Sequence, residues 1–335
     1  MTYLIFGGAG FVGLSIAEQL LARGDDVTLV DRSAPPQSAL DLLRRRGGRL
    51  EIALGDVRDV AFVRTLVSAG VRRIVWGAAI TADAARDASD PEGVLGINLA
   101  ALAPVLRAAR DADVGRVLNL SSVAAYGEAA FTDHPLTETD RCEPVVLYGL
   151  TKFASERLVA RLAELWQLDA LSVRLAAVFG PWERKTSERD TPSALFQTAR
   201  CAARDEQAVL SAAGNRDWVY ARDVARAVVT LLDAERPRHR LYNIASGTSW
   251  TALAWAERWT RDVPGLRARL AQPGESATVD LFSMRDRAML SIARLSEEFD
   301  WRPQFAALED AYRDYRLWQQ DAAAYWHAAT ADMPR

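Results

Sequence analysis

The chain has 335 residues, half of them hydrophobic and a quarter charged, with a net charge of -3 and a pI near 5.8. That balance suits a globular protein longer than one compact domain and excludes the basic footprint of a nucleic-acid or anionic-membrane binder. Two cysteines and three scattered histidines show neither a disulfide framework nor metal-ligand spacing, so no metal is expected. The first apolar strand falls at residues 3–6 and enters a glycine turn at once, leaving no room for a signal peptide. With no apolar run approaching the ~20 residues of a membrane span, the expected address is the cytoplasm. A helix follows over 11–23, stopped by Gly24, and a second strand over 26–30. Arg44-Arg45-Arg46 reads as a solvated helix end. Further strands are expected at 50–53, 73–76, 117–120 and 171–174, with helices around 60–69, 93–111 and 148–166. This alternation predicts an α/β fold, a doubly wound parallel sheet with helices on both faces. After Arg174 the rhythm changes. A charged loop spans 182–190, two shorter units lie at 218–234 and 241–245, and the last third is mostly helical. Its tryptophans (Trp250, Trp255, Trp259, Trp301, Trp318 and Trp326) read as core or inter-domain packing, because large aromatics are usually buried for their area.

Glycines stand at Gly7, Gly10 and Gly13, between an apolar strand and a helix. Glycine there permits a tight turn and close backbone approach to a pyrophosphate, and Phe11, Val12 and Gly13 place the positive end of the following helix at the phosphates. Asp31 lies 18 residues beyond Gly13, close to the ~20 expected of the carboxylate that accepts the ribose hydroxyls. A carboxylate there repels a 2′-phosphate and favours NAD over NADP, although Arg32 beside it could engage such a phosphate. The expected organisation is a dinucleotide-binding Rossmann domain over 1–175, with a return segment near 218–245, and a smaller α/β substrate domain over 176–335.

Tyr148 and Lys152 are four residues apart at a helix start, so both lie on one face. A phenol of ordinary pKa near 10 is a poor base at neutral pH, and a neighbouring ammonium would stabilise its phenolate. Upstream, at the end of an apolar strand, Ser122 offers a hydroxyl to a reacting oxygen whose charge changes. Its neighbour Ser121 reads as a strand-end serine bonded to backbone.

These blocks together resemble the extended short-chain dehydrogenase/reductases, in the NAD-dependent epimerase/dehydratase group to which UDP-galactose 4-epimerase belongs. The likeness runs from Tyr3 to about Pro303 and includes Asp56 and Val57, Ala78 and Ala79, Asn98, Val178 and Arg216. It implies Tyr148 as acid/base, Lys152 as the group that lowers its pKa and holds the nicotinamide ribose, and Ser122 as the orienter of the substrate oxygen. It implies cofactor contacts at Asp56, Val57, Ala78, Ala79, Asn98 and Val178, and Arg216 as a diphosphate grip, with Arg287 (or Arg285) as a second. Where the dehydratases of this group carry Asp-Glu, this chain has Val123-Ala124, which disfavours 4,6-dehydration. Ala177 replaces the asparagine usual in nucleotide-sugar epimerases, and the loop at 182–190 reads as substrate-side. The expected function is an NAD-dependent epimerase of a sugar or nucleotide sugar, the alternative a dehydrogenase or reductase of a polyol, sugar acid or other secondary alcohol. A homodimer is expected through the helices at 93–111 and 148–166.

Overall fold

The computed structural model describes residues 2–68, 70–189, 191–281 and 283–331. Its frame is a parallel sheet of β1 (Thr2–Phe6), β2 (Asp26–Asp31), β3 (Leu50–Leu54), β4 (Val71–Trp76), β5 (Arg116–Ser122), β6 (Ala170–Leu175) and β7 (Leu241–Ile244). Each of the six strands expected in the first half falls inside one of these. The apolar runs are near-continuous because both faces are covered. Along β1, Tyr3 and Ile5 join one buried cluster while Leu4 and Phe6 join the other. The first face carries the helices Phe11–Ala22 and Ala221–Asp233; the second carries Pro91–Asp111 and Leu147–Trp166. Strand order is β7-β6-β5-β4-β1-β2-β3, so it reverses between β1 and β4, where an open α/β sheet forms its ligand crevice.

Four expectations change. The helix expected at 60–69 stops at Leu66, and Ala69 lies outside the described residues. The helix expected from 93 begins at Pro91, behind the N-cap carboxylate of Asp90, and runs to Asp111. Its 21 residues, with an 18-residue stretch of mean hydropathy 1.3, are long and apolar enough to cross a membrane by length and composition. That corrects the reading of no such run, although Val94, Ile97, Leu102, Val105 and Leu106 are spent on the core against the sheet. The arginine cluster is not wholly solvated, since Arg46 pairs with the buried Glu18.

Beyond Leu175 the chain builds short strand pairs: Ala177–Phe179 with Trp218–Tyr220, Asn215–Arg216 with Trp250–Thr251, and Ala208–Leu210 with Ala268–Leu270. Trp255, Trp259, Trp301, Trp318 and Trp326 are buried, and Trp250 stacks on Trp255 at 5.8 Å. These rings belong to the same apolar cluster as Tyr3, Leu14 and Val173, so the C-terminal part shares its core with one face of the sheet.

Candidate active site

The glycine turn leaves β1 with Gly7 at φ +73°, a conformation that favours glycine, and its N–H donates to Val30 across on β2. A Cβ on Gly13 would lie 2.5 Å from the Gly7 carbonyl oxygen, and one on Gly7 would lie 2.7 Å from Gly77 at the end of β4. Turn, helix and neighbouring strand are thus held at a spacing only glycine allows. Gly10 caps the helix Phe11–Ala22 without any side-chain bond, so no side chain competes for the amide groups of its first turn. Asp31 closes the far side, accepting from Ala9 N at 3.0 Å and Arg32 N at 2.8 Å. Burial raises its carboxyl, opposed by these N–H groups. Cradle, uncapped helix end and carboxylate fit the pyrophosphate and ribose of a dinucleotide.

A cleft of about 470 Å³ runs from this turn to the ends of β5 and β6, within the range of ligand pockets. Ser122, Tyr148 and Lys152 line it together. The Ser122 hydroxyl accepts from Ala124 N at 3.2 Å, which caps the turn after β5 and fixes its aim. Burial raises the Tyr148 phenol; the Ser122 hydroxyl, Arg189 and the Thr81 hydroxyl act the other way. Lys152 donates to the Leu120 carbonyl at 2.8 Å and lies 5.6 Å from the Tyr148 ring centroid, and burial lowers its ammonium to about 8. Among the described residues, hydroxyls and Arg189 are the groups that counter burial at Tyr148.

Behind the cleft a buried network fixes the helix that carries Tyr148 and Lys152. Arg174 forks onto Glu156 with Nε–Oε1 2.9 Å and Nη2–Oε2 2.7 Å, and its guanidinium sits 4.3 Å from the Tyr126 ring centroid. Ser121 donates to Glu156 at 2.5 Å, so its hydroxyl serves this network and not the backbone. Asn98 lies in a π-helical turn, 1% exposed, bonded to both polar groups of the Ile80 backbone and to Thr151. Its side chain is consumed inside the fold and does not line the cleft.

The remaining site candidates separate. Val57, Ala78, Ala79 and Val178 line the cleft, whereas Asp56 is paired with Arg58 through a 2.6 Å contact and does not. Arg216 and Arg287 line the same cleft. Burial lowers Arg216 to about 10, helped by repulsion from Arg287, and burial lowers Arg287 too. Neither forms a salt bridge among the described residues, and the Nε of each is buried without a partner. Arg285, the other arginine considered, is engaged by Glu128 at 2.8 Å. Arg216 does not form the local pair with Asp217 or Asp223 that its sequence neighbours allow: it donates to the Ser283 carbonyl at 2.5 Å.

The charged loop folds over the cofactor half of the cleft rather than standing only on the substrate side. Arg184 donates to Ala9 O at 3.3 Å, Arg189 lies 5.3 Å over the Phe11 ring, and Thr81 N donates to Glu188 O at 2.7 Å. Asp190 lies outside the described residues. Thr81, Arg184, Glu188 and Arg189 are cleft residues to which sequence reasoning gave no individual role. No local motif marks them, because they reach the cleft through tertiary contacts.

A family model described as the NAD dependent epimerase/dehydratase family matches residues 3–245. The chain is 26% identical to the UDP-glucose 4-epimerase of Corynebacterium glutamicum over 94% of each chain. It is 31% identical to sterol demethylase protein B of Methylococcus capsulatus, over 82% of this chain and 78% of that one. Its fold is similar to that of the UDP-glucose 4-epimerase from Thermotoga maritima solved with UDP-glucose, with TM-score 0.80, 22% identity, and 96% and 100% of the two chains covered.

Proposed function

Because the chain belongs to the NAD-dependent epimerase/dehydratase family and is an NAD-dependent enzyme, we propose that it is a nucleotide-sugar epimerase, inverting a carbinol centre through transient oxidation. The observation that carries this reading is the Arg216–Arg287 pair. Two desolvated guanidiniums face one cleft with no salt-bridged carboxylate among the described residues, Arg287 repels Arg216, and the arrangement is stabilised by an anion of at least two charges. A diphosphate held there would leave its sugar in the same cleft as Tyr148.

In this reading Tyr148 exchanges the proton of the substrate hydroxyl, Ser122 orients that oxygen, and Lys152 supports Tyr148 from the same helix face. Gly7, Gly10, Phe11, Val12 and Gly13 seat the pyrophosphate and Asp31 the adenosine ribose. Val57, Ala78, Ala79 and Val178 flank the bound dinucleotide. NAD supplies a reversible hydride acceptor. Val123 and Ala124 offer no proton-transfer pair for eliminating water, which sets 4,6-dehydration aside. Ala177 on the cleft wall supports a second reading, net oxidation of another secondary alcohol, because it offers no hydrogen bond to a diphosphate. We further place the protein in the cytoplasm as a homodimer. Leu95, Leu150 and Leu165 on the two long helices, with Val145 just before the second, are each at least 42% exposed and offer an apolar contact face.

The deciding experiment incubates purified protein with a panel of UDP-sugars, separating products chromatographically while following reduced-nicotinamide absorbance. Inverted sugar without net reduction of NAD supports the epimerase. Stoichiometric reduction without inverted sugar overturns it in favour of the dehydrogenase.

A further inference from the structure

The loop after β6 is pinned at its base. Trp182 donates to Glu18 at 2.8 Å and its carbonyl accepts from Tyr325 at 2.7 Å. The fully buried Glu183 carboxylate gathers Arg189 at 2.8 Å and both the amide and hydroxyl of Ser193 at 2.7 Å. Arg184 and Thr186 to Arg189 line the cleft, and Arg86 holds the Ser187 carbonyl at 2.8 Å. The loop delivers Glu188 to Arg32, with Nη2–Oε1 at 2.5 Å.

That pair is 44% and 33% exposed in its side chains, and partly solvated ion pairs of this kind add little to stability. Its consequence is electrostatic and local. Arg32 directly follows Asp31, and an arginine in that place is the natural handle for a 2′-phosphate. Here its guanidinium is claimed by a carboxylate from 156 residues further along. The corner where the adenosine ribose sits then carries two carboxylates and one arginine, so a ribose hydroxyl is accepted while a phosphate ester meets net negative charge. Glu188 is itself held ionised: burial would raise its carboxyl, but hydrogen bonds from Ser187 and Arg32 keep it below the ordinary value.

We propose that Glu188 is a cofactor-specificity residue, which sequesters Arg32 and adds a second negative charge beside Asp31 so that NADP is rejected. The proposal rests on the placement of the adenosine ribose at Asp31. It assigns selectivity to the loop as well as to the end of β2, and it explains how a chain bearing Asp31-Arg32 can discriminate despite the arginine.

The test is calorimetric titration of nucleotide-stripped full-length protein with NAD and with NADP, for the parent, Glu188→Gln, Glu188→Gln/Arg32→Ala and Asp31→Asn. Glu188→Gln is expected to tighten NADP about tenfold, the size of one charge-assisted contact released to the ligand, while NAD changes far less. Adding Arg32→Ala is expected to abolish the gain, since the freed guanidinium is its source. If Glu188→Gln leaves the NADP-to-NAD ratio unchanged while Asp31→Asn shifts it, the role of Glu188 is wrong and the ribose placement stands. If Asp31→Asn changes neither affinity, the ribose placement itself fails and takes the proposal with it. Thermal unfolding of each variant checks that the substitutions leave the fold intact.

Discussion

The ammonium of Lys152 donates to the carbonyl of Leu120 at 2.8 Å, its one hydrogen-bond acceptor among the described residues. A buried ammonium with a single neutral acceptor is poorly solvated, and its ionisation falls from 10.5 to about 8.

The first prediction follows from that shift. Below pH 8 the group is charged in both folded and unfolded chains, so the whole cost of burying the charge is present, on the order of 3 kcal/mol. Between 8 and 10.5 the unfolded chain binds more protons than the folded one, so this cost is lifted as pH rises and stability increases. Lys152→Met is expected to stabilise the nucleotide-free protein at pH 7 by up to that amount while abolishing turnover, and to lose the parent's rise in stability across that window. Denaturant unfolding at several pH values checks it. The chain has only two lysines, Lys152 and Lys185, so lysine-labelled NMR can follow the titration directly. A variant less stable at pH 7, with Lys152 of the parent titrating above 10, contradicts this expectation.

Tyr148→Phe removes the only phenol that shares the cleft with Ser122 and Lys152 among the described residues. General acid–base transfer contributes about 10²–10⁴-fold, and a loss of kcat in that range is expected with KM nearly constant. Binding of NAD, measured by fluorescence quenching, should change little, because the phosphate and ribose contacts proposed for it lie elsewhere. Retained turnover would refute Tyr148 as the proton-transfer group.

Much of this was readable in the sequence because it is local. Strand, glycine turn and helix are contiguous, and the Tyr148–Lys152 spacing is set by one helical turn. The charge states were not readable. Lys152 finds its acceptor in the Leu120 carbonyl on β5, and whether Arg32 is free depends on Glu188 in a distant loop. Asn98 was legible as a position in a pattern, but its side chain is used on Ile80 and Thr151. Ser121 likewise finds a partner 35 residues away that strand-end habit does not suggest.

The Glu156–Arg174 pair, 5% and 3% exposed in its side chains, joins β6 to the helix bearing Tyr148. Removing one partner of a buried pair strands the other charge, at about 3–5 kcal/mol. Glu156→Gln should cost that much in denaturant unfolding. Replacing both partners, as Glu156→Leu with Arg174→Met, should recover part of the loss, because no lone charge remains. A double variant as unstable as the sum of its singles would show that the pair acts through something other than charge.

The last prediction separates two neighbouring arginines that sequence spacing treats alike. Arg285 is salt-bridged to Glu128 and lies 3.5 Å from the Phe131 ring centroid, at an exposed site. Arg287 faces the cleft, with its Nε buried and unpartnered beside Arg216. A desolvated guanidinium contributes to an anion what a charge-assisted bond contributes, about 1.5–3 kcal/mol. Arg287→Ala should therefore weaken UDP binding by roughly tenfold to a hundredfold, and Arg216→Ala should do the same. Because the two guanidiniums repel when the anion is absent, removing either relieves the other. Each single variant should then be no less stable than the parent without ligand, while losing most of the thermal stabilisation that UDP confers. Arg285→Ala should leave UDP affinity within about twofold, since it severs only an exposed pair. Titration of the three variants with UDP checks this, and equal losses at Arg285 and Arg287 would remove the diphosphate site from this part of the cleft.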